Sequence, residues 1–260
     1  MDWIDDQFGV QFLPPMAPYR ARLEHLILNR VSFPDFRAIE GPLPRLGQLE
    51  LLLYDHDQEY SPMASTKLSF HEAPLLRTVL VNSCAIRNTI IPWAQLTSLA
   101  LHGLLPQDCA PILQQTCNLV HCELSVAEDS SGEDVPEVAL PCLESLLLTH
   151  IILEDGLITG YLQTLTVPAL RTLRVPELFL GPRPIDTLKS FVSKSGCNLE
   201  KLCVTGVRLV PDSSYQVAFP STKVTFHYWL MSCAEWIMTE FEDSGEEPSA
   251  TATFVPGFPG

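Results

Sequence analysis

Between Arg87 and Arg171 the sequence contains no lysine and no arginine. The same stretch holds Asp108, Glu123, Glu128, Asp129, Glu133, Asp134, Glu137, Glu144, Glu154 and Asp155. The whole chain is poor in base, with 16 Lys and Arg against 31 Asp and Glu, a formal net charge of −15 over 260 residues. Nucleic acids and anionic membrane surfaces are held by basic patches, so neither is expected as a partner. Two readings of the acidic stretch remain open: a solubilising surface, and a face for a basic protein partner.

Other absences narrow the chemistry. None of the eight cysteines forms a Cys-x-x-Cys pair, so a zinc site is not suggested. There is no Gly-x-Ser-x-Gly, phosphate loop or dinucleotide fingerprint. No apolar run is long enough to cross a bilayer. The start, Met1-Asp2-Trp3-Ile4-Asp5-Asp6, lacks the basic opening of a signal peptide. These features point to a reducing compartment, cytoplasm or nucleus. There, cysteines set among Leu and Val act as small hydrophobes. Charged residues make up 18% of the chain and apolar residues 46%, enough to fill a sizeable core.

What is abundant is one spacing. Leu-x-x-Leu-x-Leu, with Val or Cys substituting, occurs as Leu23, Leu26, Leu28 and again as Leu46, Leu49, Leu51. It returns as Leu76, Val79, Val81, as Leu96, Leu99, Leu101, and as Leu119, Cys122, Leu124. Leu143, Leu146, Leu148, then Leu170, Leu173, Val175, and finally Leu199, Leu202, Val204 complete eight copies. Starts are roughly 20 to 30 residues apart, the leucine-rich-repeat range. The fourth and sixth positions alternate with period two and so face the same side of a short strand. One repeat cannot bury its own leucines, but stacked neighbours can. The expected fold is α/β: an irregular leucine-rich-repeat solenoid, a curved parallel sheet with helices and loops on its convex side.

Crossing helices are expected at 106–116 and 184–195. In the second, Pro184 suits the first turn, Leu188, Phe191 and Val192 make a stripe, and Gly196 suits the C-terminal cap. Several copies of the repeat add another apolar residue three positions on, at Val31, Leu104, Ile151, Leu178 and Val207. The ninth position, Asn or Cys in regular repeats, fits only at Cys84. Longer excursions are therefore expected at 55–69 and 128–137. Residues 1–22, with Trp3, Phe8 and Phe12, are expected to cap a solenoid spanning 23–219. Residues 220–242, with Tyr228, Trp229, Trp236 and Phe241, should form a strand and helix that cap its other end. A disordered tail is expected from 243 to 260.

Strand alternation turns the third, fifth and seventh positions to the concave face. The third are His25, Gln48, Thr78, Ser98, His121, Ser145, Thr172 and Lys201. The fifth are Ile27, Glu50, Leu80, Ala100, Glu123, Leu147, Arg174 and Cys203. The seventh are Asn29, Leu52, Asn82, His102, Ser125, Thr149, Pro176 and Thr205. Exposed Leu80 and Leu147 beside His121 and Glu123 would make a contact patch. The expected partner face takes in Thr78, Leu80, Asn82, Ser98, His102, His121, Glu123 and Ser125. It continues through Ser145, Leu147, Thr149, Arg174 and Lys201. Convex helices or loops are the competing location.

No catalytic, cofactor or metal residue is expected. Asp55-His56-Asp57 lacks the partner spacing of a metal site. His102 and His121 fall in rows offset by two positions and read as polar surface. Cys117 or Cys122 with His121 could be read as a nucleophile and its base, but Cys122 is a core position of the repeat.

Ile91-Pro92-Trp93-Ala94-Gln95-Leu96-Thr97-Ser98-Leu99-Ala100-Leu101 resembles a recurring segment of the F-box/leucine-rich-repeat proteins of mushroom-type fungi. Gln115-Thr116-Cys117-Asn118-Leu119-Val120-His121-Cys122-Glu123-Leu124 is similar to the stretch that follows it there. So are Leu140-Pro141-Cys142-Leu143-Glu144-Ser145-Leu146 and Val167-Pro168-Ala169-Leu170-Arg171-Thr172-Leu173. The resemblance covers roughly residues 20–210. It implies a non-enzymatic domain that recruits proteins, with an F-box docking on the Skp adaptor of a cullin–RING ubiquitin ligase. Leu13-Pro14 matches the usual F-box start, but the first repeat begins at Leu23, so the F-box itself is expected to be missing. The alternative is a structural or vestigial repeat protein with no ligase role.

Overall fold

The computed structural model describes residues 17–31, 41–53, 67–127, 135–150, 160–207 and 209–227. The aromatic residues expected to cap each end, Asp55-His56-Asp57, most of both excursions and the 243–260 tail lie outside them.

Nine strands form one open sheet. They are β1 (His25–Val31), β2 (Gln48–Leu53), β3 (Thr78–Asn82), β4 (Ser98–Leu104) and β5 (His121–Val126). β6 (Ser145–His150), β7 (Thr172–Pro176), β8 (Lys201–Thr205) and β9 (Lys223–His227) follow. Their spatial order is their order in the chain, and each neighbouring pair is parallel. This is an α/β architecture built on a large parallel sheet, compatible with a solenoid.

The first eight strands each carry one copy of the repeat, and β9 continues their register. His25 pairs with Gln48, Gln48 with Thr78, Thr78 with Ser98, and Ser98 with His121. The same column runs on through Ser145, Thr172, Lys201 and Lys223. A slip of one residue would carry the leucines to the wrong face. In this register Leu49, Val79, Leu99, Cys122, Leu146, Leu173 and Leu202 line up and are at most 1% exposed.

Two backbone devices repeat with the strands. In the first, the second-position carbonyl of one repeat accepts two N–H groups of the next. Glu24 O takes Gly47 and Gln48, Gly47 O takes Arg77 and Thr78, and Arg77 O takes Thr97 and Ser98. Thr97, Val120, Glu144 and Arg171 continue the series. In the second, a turn precedes the strand: the N–H of Leu46, Leu76, Leu143 and Leu170 donates to the carbonyl three residues back. Each of these turns has proline second: Pro44, Pro74, Pro141 and Pro168. Proline presets φ for that position.

Behind the core face lie α1 (Ser83–Asn88), α2 (Pro106–Leu113), α3 (Pro184–Ser195) and α4 (Asp212–Ala218). Two short parallel pairs join them, Leu68–Ser69 with Thr89–Ile90 and Val138–Ala139 with Leu165–Thr166. α3 has the expected bounds, with Gly196 capping it at φ 66°. α2 stops at Leu113, short of the expected 116. Thr116 instead donates to Leu113 O through both its N–H and its hydroxyl, making the turn that admits Leu119. Helix α1 was not foreseen; Asn82 caps it by accepting the Ala85 N–H at 3.0 Å.

The apolar residues three positions beyond the sixth are placed unevenly. Leu104 is buried, but Leu178 is 41% and Val207 74% exposed. After β7 the chain enters a 3₁₀ helix, Glu177–Leu180, that turns Glu177, Phe179 and Leu180 inward and Leu178 out. Before Val207, Gly206 adopts φ 84°, a left-handed turn that carries Val207 away from the core.

Candidate functional site

The third, fifth and seventh positions share the sheet face opposite the core, as alternation requires. That face is open at its ends and closed in its middle. At one end His25, Ile27 and Asn29 are exposed, with His25 Nδ1 and Gln48 Oε1 3.0 Å apart. At the other, Lys201, Lys223, Thr225 and His227 are exposed. Between them Leu80 is 6%, Ala100 4%, Glu123 2% and Leu147 2% exposed. Ser125 and Ser145 are each 4% exposed. Thr78, Ser98, His102, His121, Thr149 and Arg174 are half-buried.

The exposed patch expected at Leu80 and Leu147 is therefore not there. Neighbouring strands stand about 4.8 Å apart, and successive outward positions along one strand about 6.6 Å apart. The fifth column is flanked on both sides by the third and seventh, so its side chains lose solvent that alternation alone would leave them. Leu80, Ala100, Leu147 and Cys203 are buried yet stand apart from the main core cluster. The sheet has a second, smaller apolar row on its far face.

Asn82 is corrected too. Its side chain donates to Leu53 O at 2.7 Å and accepts from Leu53 N at 3.3 Å, besides capping α1. It ties β2 to β3, with one amide hydrogen donated and its oxygen accepting twice.

The middle of the face carries a polar cluster. Glu123 stands on β5 between Ala100 and Leu147, its register partners. Among the described residues, neither of its carboxylate oxygens has a hydrogen bond. His102 Nε2 lies 3.5 Å from Glu123 Oε1 without hydrogen-bonding it. His121 Nδ1 and Ser145 Oγ are also buried and unpartnered. His102, expected as polar surface, thus stands beside a buried carboxylate. The diagonal from the seventh position of β4 to the fifth of β5 supplies that contact. Among the described residues no group of His, Cys, Asp and Glu is arranged to hold a metal ion.

The second buried glutamate, absent from the sequence reading, is of another kind. Glu177 is 0% exposed and accepts from Tyr215 Oη at 2.6 Å and Val210 N at 3.4 Å, and also from Leu209 N. It fastens the loop before α4 to the end of β7. Tyr215 in turn meets Phe226 of β9 edge-on, ring centres 5.8 Å apart. The sequence clue was weak, because Glu177 and Tyr215 lie 38 residues apart.

The thiols are unsuited to nucleophilic work. Burial, helped by Asp108 beside it, pushes the Cys109 thiol up to about 12, and burial holds Cys122 well above its ordinary value. A thiol so placed stays protonated and inert. Cys122 also points to the core face, away from His121. Cys117 is exposed and faces Ala94 O at 3.9 Å. The seven described cysteines are free.

No family model matches the chain. Nor does any curated protein or solved structure match it. Among the described residues no helix is long and apolar enough to cross a membrane.

Proposed function

We propose that the chain is a leucine-rich-repeat domain that binds another protein and performs no catalysis. Its role would be akin to the substrate-receptor part of a fungal F-box protein serving a cullin–RING ligase through the Skp adaptor. One observation carries this reading: eight copies of the repeat each supply one strand, in a common register. That arrangement gathers the third, fifth and seventh positions into one continuous face, the kind of extended surface on which stacked-repeat proteins bind partners. The stretch without lysine or arginine runs through its centre and favours a basic partner. Eight cysteines fit a reducing cytoplasm or nucleus.

A second reading, a structural repeat protein without a partner, draws on the burial of Leu80, Ala100 and Leu147. These side chains are already covered and offer little to a binder.

The two readings separate on one experiment. A photo-crosslinking residue is placed at Lys201, on the face, and in a separate chain at Lys189, exposed on α3 behind the core. The binding reading expects a discrete adduct from Lys201 and none from Lys189. No adduct at either favours the structural reading. Mixing the purified chain with purified Skp adaptor tests the ligase connection by itself: a stable complex supports it and its absence removes it.

A further inference from the structure

We propose that the cluster around Glu123 is a built receptor for a guanidinium group, the side chain of an arginine on the bound protein. The inference rests on the protein-binding reading of this face and names the chemistry at its centre. Five buried polar atoms of four side chains are without a hydrogen bond: His102 Nε2, His121 Nδ1, both oxygens of Glu123, and Ser145 Oγ. The three oxygens can accept, and each imidazole nitrogen accepts or donates according to its tautomer. Removing a carboxylate from water without hydrogen-bond donors is unfavourable, and the His102 ring 3.5 Å away offsets that only when it is protonated. A bound group that brings donors offsets it too.

The donors must be several, planar and positively charged. Two free oxygens on one carboxylate match the fork of a guanidinium, which presents five N–H groups and binds carboxylates in bidentate fashion. An ammonium would meet one oxygen well and leave the other atoms unserved. Leu147 and Ala100 flank Glu123 in register and give the apolar walls against which a guanidinium plane packs. Within the chain, the nearest basic residue in that row is Arg174, which pairs in register with Leu147 and so stands two strands from Glu123. Entry runs past His102, whose side chain is 20% exposed where that of Glu123 is 2%. A rotation of that imidazole uncovers the carboxylate.

The test uses the full chain labelled with nitrogen-15 in its histidines, titrated with N-acetyl-arginine amide. The comparator is N-acetyl-citrulline amide, of the same shape without the charge. The expected result is saturable movement of the His102 and His121 ring signals, at least tenfold weaker with citrulline, while His25 and His227 stay fixed. Glu123→Gln should abolish it. Leu147→Lys, which sets an ammonium beside Glu123, should block it, so a folding failure in one variant leaves the other. Equal response to citrulline, movement of all histidines together, or unchanged binding in the folded variants overturns the proposal. So does no response, with ordered water on both Glu123 oxygens in a crystal of the chain. Probe binding without an adduct from Lys201 would keep the receptor and remove the protein-binding reading. An adduct from Lys201 whose yield ignores Glu123→Gln would do the reverse.

Discussion

Glu177 and Glu123 are buried to nearly the same degree, 0% and 2% exposed, and differ in company. Glu177 receives three hydrogen bonds, two from backbone N–H groups and one from Tyr215. Glu123 receives none. The first carboxylate is part of how the chain holds its shape. The second weakens the free protein, because a buried acceptor without a donor forfeits the hydration it had when unfolded. Burial alone therefore does not tell an acid that ties the fold together from one that does not. The fate of its lone pairs does.

Several measurements would sharpen or break that contrast. Removing Glu177 should be the most damaging. Glu177→Ala strands the Tyr215 hydroxyl and the N–H groups of Leu209 and Val210. A loss of about 3 kcal/mol is expected in chemical denaturation, and an unchanged midpoint would mean that the lock is not one. Asn82→Ala removes a helix cap and the two bonds to Leu53. It should lose about 2 kcal/mol, and it tests whether a residue of the open face can be structural. Glu123→Gln should act in the opposite direction and raise stability by about 1 kcal/mol. A fall of similar size would show that Glu123 has partners after all, and the contrast with Glu177 would collapse.

The smallest effect near neutral pH concerns Cys109. Its folded value, raised from 9.0 to about 12, means the folded state favours the protonated thiol. That contribution is complete below pH 9 and is lost as pH rises toward 12. Denaturation midpoints should be flat with respect to Cys109 from pH 7 to 9 and should fall beyond. Replacing Cys109 with Ala should flatten that alkaline fall, and iodoacetamide at pH 8 should modify exposed Cys117 well before Cys109.

The sheet was more legible in the sequence than the face it carries. Leucine spacing placed eight strands and their shared third column, because period-two alternation and stacking leave one register that buries all the leucines. The ninth strand is less visible. There Ser221 stands where leucine opens the other copies, and only Val224 and Phe226 keep the inner spacing. The proline turns could have been read from Leu43-Pro44-Arg45-Leu46 and its three counterparts, since hydrophobe-Pro-x-Leu precedes each strand start. The closed middle of the face could not. Alternation says which way Leu80 and Leu147 point, but not how crowded their side is. Nor could the state of Glu123, whose oxygens make no hydrogen bond among the described residues.

The doubly accepting carbonyls have a consequence for how such a chain can lengthen or shorten over time. Thr97 O and Val120 O stand in equivalent places, one repeat apart, and each serves the next turn in the same way. Excising Ser98 through Val120 would join Thr97 directly to His121 and put Thr97 O where Val120 O now accepts Glu144 and Ser145. The seam would be chemically the same as before. Unequal recombination within the gene can therefore drop or duplicate a whole unit without spoiling a joint. Inheritance is then free to vary the number of turns while selection works on the few side chains that make each turn different.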